Sequence, residues 1–333
     1  MQGSWGLRPT TFGTITRFVP CVWASQRDHS QMENLQRIAI AGVTGFIGRG
    51  LAALCEERGI ATTGISRSGG GDVPGVDRWQ ATDAMDFSGC DAVINLAGEP
   101  IDRRWTAAMK KRFHSSRVGF TNEVVAALAA CPDDQRPGVL VNGSAVGIYA
   151  DRGDDVLDES AARGGGYLAD LCRDWEAAAM AAEAHGVRVA TIRTGVVFGR
   201  DGRAWQKLRT LFRLALGGRL SHGRQWMPWI HVDDLRAAFL HAAASDALRG
   251  PVNGAAPEPV RNAEFTRKLA AEMKRPAWFP APAPALRLVL GEFASVLLAS
   301  QRVMPAALLA SGFEFRHPSL AGALDDLNKP AGG

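Results

Sequence analysis

Cysteine occurs in this chain without any pattern that would use it. The five residues, Cys21, Cys55, Cys90, Cys131 and Cys172, are odd in number, scattered, and form no C-x-x-C. That spacing excludes a disulfide frame and a zinc knuckle, and unpaired thiols fit a reducing cytoplasm. Long apolar runs are missing too. The most apolar stretch, Ala285 to Ser300, is broken by Arg287 and Glu292 and falls short of the ~20 residues that a membrane span requires. The net charge is only +4, which makes no case for a nucleic-acid partner. The densest basic stretch, Lys110-Lys111-Arg112 with Arg103, Arg104 and Arg117, reads as the solvated face of a helix. The seven histidines show no H-x-x-x-H, so no metal is expected; Asp233 and Asp234 after His231 read as caps of a following helix. Asn142-Gly143-Ser144-Ala145 lacks the G-x-S-x-G elbow of a hydrolase. The acids Asp154, Asp155, Asp158 and Glu159 read as a solvated loop. These exclusions leave a small-molecule substrate as the expected partner, with no nucleic acid and no membrane; a homodimer is left open.

What remains is ordinary globular composition, 46% hydrophobic and 22% charged over 333 residues, enough for one large or two ordinary domains with a substantial core. Residues 1–34 stand apart from it. They lack the periodicity of the rest of the chain, and the short apolar run Phe18 to Ala24 contains a proline and makes a poor secretory h-region. Met32 stands just before the first strand, so the segment reads as a disordered tail or a misplaced start, dispensable for the fold.

Glycine carries the strongest signal. Gly42, Gly45 and Gly48 follow the apolar run Arg37-Ile38-Ala39-Ile40-Ala41 and precede an amphipathic helix expected from Phe46 to Arg58. A glycine turn between strand and helix lets backbone approach a pyrophosphate, whose charge then sits on the unpaired N–H groups of the helix N-terminus. Gly42, Thr44, Gly45, Phe46, Ile47 and Gly48 are therefore candidate cofactor contacts. The next strand ends at Ser66-Arg67, and the first acid after it is Asp72. A site for NAD places an acid there to hold the ribose 2′-hydroxyl. A hydroxyl and a guanidinium suit a 2′-phosphate instead, so the expected cofactor is NADP.

Strand-like and helix-like segments then alternate. Asp91–Gly98, Gly138–Ser144 and Val187–Arg193 read as strands, with helices over Ser115–Ala130 and Ala169–His185. The expected fold is α/β, a Rossmann-type doubly wound parallel sheet with a smaller C-terminal substrate or cap domain. Its expected parts are an NADP-binding domain over residues 35–255, with a cap insertion at about 201–228, and a C-terminal domain over 256–328. Ligands in such sheets lie beyond the carboxyl ends of the strands, where Asn95, Ser144 and Arg193 fall.

The chain resembles the extended short-chain dehydrogenase/reductase superfamily, the NAD-dependent epimerase/dehydratase group, and within it the atypical SDR39U-type "epimerase family proteins". The resemblance rests on Ala41–Gly48, Asn95–Ile101, Trp105-Thr106, Ser116-Arg117, Trp175-Glu176 and Trp229-Ile230-His231. Pro257-Glu258-Pro259, Gln301-Arg302-Val303 and Gly312-Phe313 extend it toward the C-terminus, so that it covers residues 37 to about 327. It implies NADP contacts at Ser66, Arg67, Leu96, Ala97 with Gly98, Arg117 and the turn at Gly195-Val196. It implies an oxidoreductase or epimerase-like protein, with no defined substrate.

The chemistry departs from that superfamily, whose working members use Tyr-x-x-x-Lys. Of the two tyrosines, Tyr149 is followed four residues on by Gly153 and Tyr167 by Leu171. With Trp175-Glu176 aligned to the end of that helix, Leu168 takes the Tyr position and Cys172 the Lys position, and a thiol cannot neutralise a phenolate. Ser144, matching the superfamily's catalytic serine, and Tyr149 are the remaining candidate catalytic residues. Two readings stay open: an NADP(H)-dependent oxidoreductase or epimerase on a small carbonyl or sugar-like substrate, or a silent NADP(H)-binding protein that responds to redox state through its partners.

Overall fold

The computed structural model describes residues 35–329. The segment 1–34, expected to stand outside the fold, lies outside the described residues, as does Cys21. Seven parallel strands form the main sheet: β1 Arg37–Ala41, β2 Ala61–Ser66, β3 Arg78–Ala81, β4 Ala92–Asn95, β5 Val139–Ala145, β6 Arg188–Thr194 and β7 Gly250–Gly254. Their spatial order is β7-β6-β5-β4-β1-β2-β3, with parallel register throughout. The order reverses between β1 and β4, the crevice where such sheets bind ligands.

The helices that position the site are α1 Phe46–Glu57, α2 Ala107–His114, α3 Phe120–Ala130, α4 Tyr167–Met180, α5 Arg203–Arg213, α6 Val232–Ala244, α7 Asn262–Glu272, α8 Ala283–Leu290 and α9 Leu320–Asn328. Strand β1 shows why both sheet faces are covered. Its side chains alternate: Ile38 and Ile40 pack with Leu51 of α1 and with Leu235 and Phe239 of α6, while Ala39 and Ala41 pack with Val124 and Leu128 of α3. Fully buried strands need apolar residues on both faces, which accounts for the unbroken apolar run.

Helix ends are closed by side chains from elsewhere in the sheet. Arg188 of β6 donates to the carbonyls of Ala242, Ala243 and Leu248 at 3.0, 2.9 and 2.7 Å, capping the C-terminus of α6. The helix expected over Ser115–Ala130 begins instead with a π-helical segment, Ser115–Gly119, continuous with α2 and α3. Such segments re-aim side chains and recur at functional sites.

The C-terminal part shares cores with the sheet body. Leu320 and Leu324 of α9 pack with Phe198, Trp205, Trp229 and Phe265, and Leu308 and Phe313 join the cluster on the main sheet. Arg302–Val303 pairs in parallel with Val156–Leu157, and Val260–Arg261 pairs antiparallel with Trp226–Met227. Among the described residues no helix is long and apolar enough to cross a membrane.

Candidate cofactor cleft and acid/base wall

The glycine turn has the geometry its spacing implies. Gly42 adopts φ +77°, and a Cβ there would stand 2.9 Å from the Leu96 carbonyl carbon, so the turn is pressed against the end of β4. At Gly48 a Cβ would meet the Gly42 oxygen at 2.5 Å and the Val43 Cα at 2.7 Å, so only glycine lets α1 seat against the turn. Helix α1 starts at Gly45 with no side-chain cap, leaving its first N–H groups for an anion. Thr44 lies exposed beside them, with Phe46 and Ile47 half-buried. Phe46 is held by Arg236 of α6, whose guanidinium lies 5.7 Å from the ring centre and donates to the Phe46 carbonyl at 3.0 Å.

Asn95 works one layer back. It is fully buried, its Nδ2 donates to Asn142 Oδ1 at 2.7 Å and Thr121 Oγ1 at 3.0 Å, and its Oδ1 accepts from the Ala97 N–H at 3.1 Å. It therefore shapes the turn of Leu96, Ala97 and Gly98. Across that turn lies Arg117, carried on the π-helical segment, its Cζ 3.2 Å from where a Gly98 Cβ would be. The guanidinium stacks 5.2 Å over Trp175, and its Nη1 is buried without a hydrogen-bond partner. Burial pulls the Arg117 charge below the usual arginine range, opposed by Cys172, Tyr167 and Glu99. A half-buried cation whose Nη1 has no partner among the described residues calls for an anion. An uncapped helix start beside an orphaned guanidinium fits the phosphates of a dinucleotide.

At the tip of β2 the Ser66 hydroxyl donates to the Gly70 carbonyl at 2.8 Å and receives the Gly70 N–H at 3.1 Å, folding the following loop. Arg67 is exposed on that loop. Arg49 of α1 spans from the glycine turn to the same loop, donating to the Thr44 and Asp72 carbonyls at 3.1 and 3.3 Å. It adds a second guanidinium at this end that the Ser66-Arg67 pattern does not reveal.

The other wall is built from side chains. A cavity of about 170 Å³ is lined by Ile47, Leu96 and Arg117 together with Ser144, Leu168 and Cys172. Leu168 and Cys172 thus face the cleft with Ser144, as the alignment of α4 expects. Complete burial, with Glu176 nearby, pushes the Cys172 thiol up to about 12, which leaves it inert in proton transfer. Ser144 donates its hydroxyl proton to Glu176 Oε1 at 2.7 Å. Glu176 is in turn gripped by Arg193, Nε to Oε1 at 2.8 Å and Nη2 to Oε2 at 2.9 Å. Burial works against the Arg193 charge, but this bidentate pair outweighs it and raises the Arg193 pKa. With its proton held by a carboxylate, Ser144 presents lone pairs to the cleft.

Tyr149, a candidate catalytic residue, and Arg193, at a strand end where ligands are expected, sit deeper in this wall. Tyr149 is fully buried; its hydroxyl donates to Asn253 Oδ1 at 2.8 Å and accepts from Arg193 Nη1 at 2.9 Å. Burial, opposed by Arg193, raises the Tyr149 pKa. Both residues buttress Glu176 rather than reach the cleft surface. Gly195 approaches closely too: a Cβ there would stand 2.7 Å from the Pro228 carbonyl oxygen, and the Val196 N–H donates to that same oxygen at 2.7 Å.

Two sequence expectations need correction. Glu159 is not simply part of a solvated loop. Its Oε1 accepts the Asn253 and Ala307 N–H groups at 2.9 and 3.2 Å, pinning the C-terminal segment. The cap of α6 is not an aspartate but His231, whose Nδ1 accepts from the Asp233 N–H at 3.2 Å. Asp234 instead accepts the Arg316 and His317 N–H groups at 2.7 and 3.0 Å. The structure brings His231, His317 and Asp326 together, with candidate ligand atoms within 4.8 Å of one another. A ring whose Nδ1 accepts a backbone N–H carries its proton on Nε2, and His231 Nε2 faces Asp326 Oδ2 at 3.5 Å. It has no hydrogen-bond partner there among the described residues, and in this tautomer it offers a metal no lone pair.

Residues 38–253 match the NAD dependent epimerase/dehydratase family, over the span that holds the glycine turn, Arg117 and the Ser144 wall. The chain belongs to that family. Residues 281–327 match a domain of unknown function, DUF1731. The chain is 39% identical over 304 residues to the epimerase family protein SDR39U1 homolog, chloroplastic, of Arabidopsis thaliana, covering 89% of this chain and 87% of that protein. The crystal structure of human epimerase family protein SDR39U1 (isoform 2) with NADPH superposes with a TM-score of 0.80 at 34% identity, covering 88% of this chain and 99% of that one. A nucleoside-diphosphate sugar epimerase from Corynebacterium glutamicum gives 0.71 at 32% identity, covering 90% of this chain and 60% of that one. The expected fold and the expected kinship with SDR39U1-type proteins are both shown by these matches.

Proposed function

We propose that this protein is an NADP(H)-dependent oxidoreductase or epimerase-like enzyme acting on a small secondary alcohol, carbonyl or sugar-like substrate. The observation that carries the reading is one cleft with two unlike walls: an anion-seeking wall at the glycine turn and Arg117, and a proton-accepting wall at Ser144 and Glu176. The Ser66-Arg67 strand end and the human relative crystallised with NADPH support NADP over NAD.

The nicotinamide, when bound, supplies or accepts hydride. Everything else falls to the chain. The helix α1 N-terminus and Arg117 hold the phosphates, Asn95 keeps the 96–98 turn in shape, and Arg67 with Ser66 addresses the 2′-phosphate. Ser144 accepts the hydrogen bond of a substrate hydroxyl. As that hydroxyl carbon loses hydride, its proton passes to Ser144 Oγ while the proton of Ser144 moves to Glu176 Oε1; carbonyl reduction runs the same transfers backwards. Arg193 and Tyr149 fix the Glu176 carboxylate. Leu168 in place of a tyrosine leaves no phenol to share the task.

Calorimetry with both cofactors tests the assignment. Arg67→Ala should weaken NADPH by about 1.5–3 kcal/mol, the scale of a charge-assisted contact, and leave NADH unmoved. Equal losses for the two cofactors would remove Arg67 from the 2′-phosphate. Binding without turnover on an alcohol and carbonyl panel would favour a redox-responsive binding protein.

A further inference from the structure

Most of the exposed large apolar side chains among the described residues are gathered in two stretches of chain. Leu211, Leu214, Leu216, Trp278, Phe279, Leu288 and Val289 are between 45% and 80% exposed, with only Val156 and Leu309 elsewhere among the described residues. They lie on two segments, residues 202–232 and 273–291, and neither segment contains an Asp or a Glu. Both carry exposed cations: Arg209, Arg213 and Arg219 on the first, Lys274, Arg275 and Arg287 on the second. None of these six pairs with a carboxylate among the described residues; Arg203 and Lys207, at the inner end, are instead tied to Asp102.

The two segments touch. The Ala281 N–H donates to the Arg219 carbonyl at 2.9 Å and the Ser221 N–H to the Ala281 carbonyl at 2.8 Å, and the Phe279 carbonyl oxygen is packed against Gly218. Trp278 and Phe279, 80% and 71% exposed, sit between Pro276 and Pro280. Extended by the prolines, they cannot retreat into a helix.

We propose that this face binds the surface of an anionic phospholipid bilayer. Trp278, Phe279, Leu214 and Leu216 would enter the headgroup region, and the unpaired arginines and lysines would meet lipid phosphates. Aromatic and leucine side chains on cationic segments without an acid of their own are the chemistry of interfacial membrane binding. A protein partner of comparable size would be matched by a mixed polar rim, whereas here the exposed charges within both segments are all positive and the acids lie only at their ends. Lying on a bilayer is a different act from spanning one, and the lack of a spanning helix does not bear on it. The binding face borders the cofactor cleft: Asp102, just beyond β4, holds Arg203 and Lys207 of α5, and Arg104 reaches the Leu288 carbonyl at 3.5 Å. A molecule dissolved in the bilayer would therefore lie next to the cleft mouth.

Flotation of the full chain with phosphatidylcholine vesicles, with and without phosphatidylglycerol, tests the proposal. The protein should float with the anionic vesicles at low salt, be released by high salt, and ignore phosphatidylcholine alone. Trp278→Ser with Phe279→Ser should abolish flotation. Arg209→Gln with Arg213→Gln should reduce partitioning about ten-fold or more. All four positions are exposed, so melting temperature and NADPH affinity should hold in both variants. Absence of flotation with anionic vesicles, or flotation unchanged in the Trp278/Phe279 variant, would overturn the proposal. So would a dimer of the unmodified protein in sedimentation that this variant converts to monomer, which would assign the face to a second copy of the chain.

Discussion

The two walls of the cleft are held in different ways. The cofactor wall is shaped by backbone: glycines that let β1, β4 and α1 crowd together, and a helix start left open. The opposite wall is shaped by side chains, Ser144, Glu176, Arg193, Tyr149 and Asn253, each holding the next by a bond of 2.9 Å or less. The contrast separates how each wall should fail. A backbone-shaped site tolerates almost no added atom, whereas a side-chain network can lose a member and keep its outline.

Gly48→Ala strikes the first wall hardest. Its Cβ would collide with backbone at 2.5 Å, which cannot rotate away. Stability should fall by about 2–3 kcal/mol, the upper part of the overpacking range, with NADPH binding lost; a melting curve within a degree of the unmodified protein would show that α1 seats more loosely than described. Ser144→Ala should leave the melting temperature nearly unchanged and cut kcat for alcohol oxidation about ten-fold or more, the low end of acid/base loss, at constant cofactor affinity. Glu176→Gln should do the same. Retention of full kcat in both variants would place the proton path elsewhere.

Arg117→Leu divides stability from binding. Removing an unpaired half-buried charge should leave the free protein as stable as before or more so by about 1 kcal/mol, while NADPH binds about ten-fold more weakly or worse. Loss of stability would mean that the stacking of Arg117 on Trp175 outweighs the cost of desolvating its charge.

The smallest effect lies away from both walls, where His231 meets the C-terminal segment. Burial, together with His317, lowers its pKa to about 4, against the pull of Asp233 and Asp326 and with a further push from Arg316. The folded state thus resists protonation, so the His231 contribution is present above pH 6.5 and is lost as pH falls from there toward 4. Asp234, pushed by burial up to about 6, works in the opposite sense over part of that window. The comparison is therefore with His231→Asn, which can still cap α6 and leaves Asp234 in place. The stability gap between the two proteins should narrow from pH 7 to pH 5, read by chemical denaturation. A gap that does not change with pH would remove His231 from the acid response.

The same contrast explains which features are legible in the chain alone. The β1 turn is legible because its determinants are consecutive: an apolar run, glycines every third residue, then a helix. The placement of Leu168 and Cys172 at the cleft with Ser144 is legible through the α4 pattern. The Ser144–Glu176–Arg193 network is not, because its members come from β5, α4 and β6 and meet only when the strands are in register. Glu176 is visible as part of Trp175-Glu176, but nothing local tells that its carboxylate takes the proton of Ser144. The capping of α6 by His231 is hidden for a similar reason, since two aspartates follow it and are the commoner caps. Their carboxylates are drawn off by Arg236 and by the 316–317 backbone.

The strand order also bears on how the chain is made. The first strand of the described residues, β1, ends in the middle of the sheet. One of its edges can close as soon as β2 emerges, but the other waits for β4, and each later strand in turn exposes a fresh edge until β7 closes on β6. Throughout that interval the growing chain carries an unpaired apolar strand, the condition under which nascent proteins aggregate or recruit chaperones. Fragments ending before residue 250 should be retained by chaperones during synthesis, and the full chain released only once the residues that pair 302–303 with 156–157 have left the ribosome.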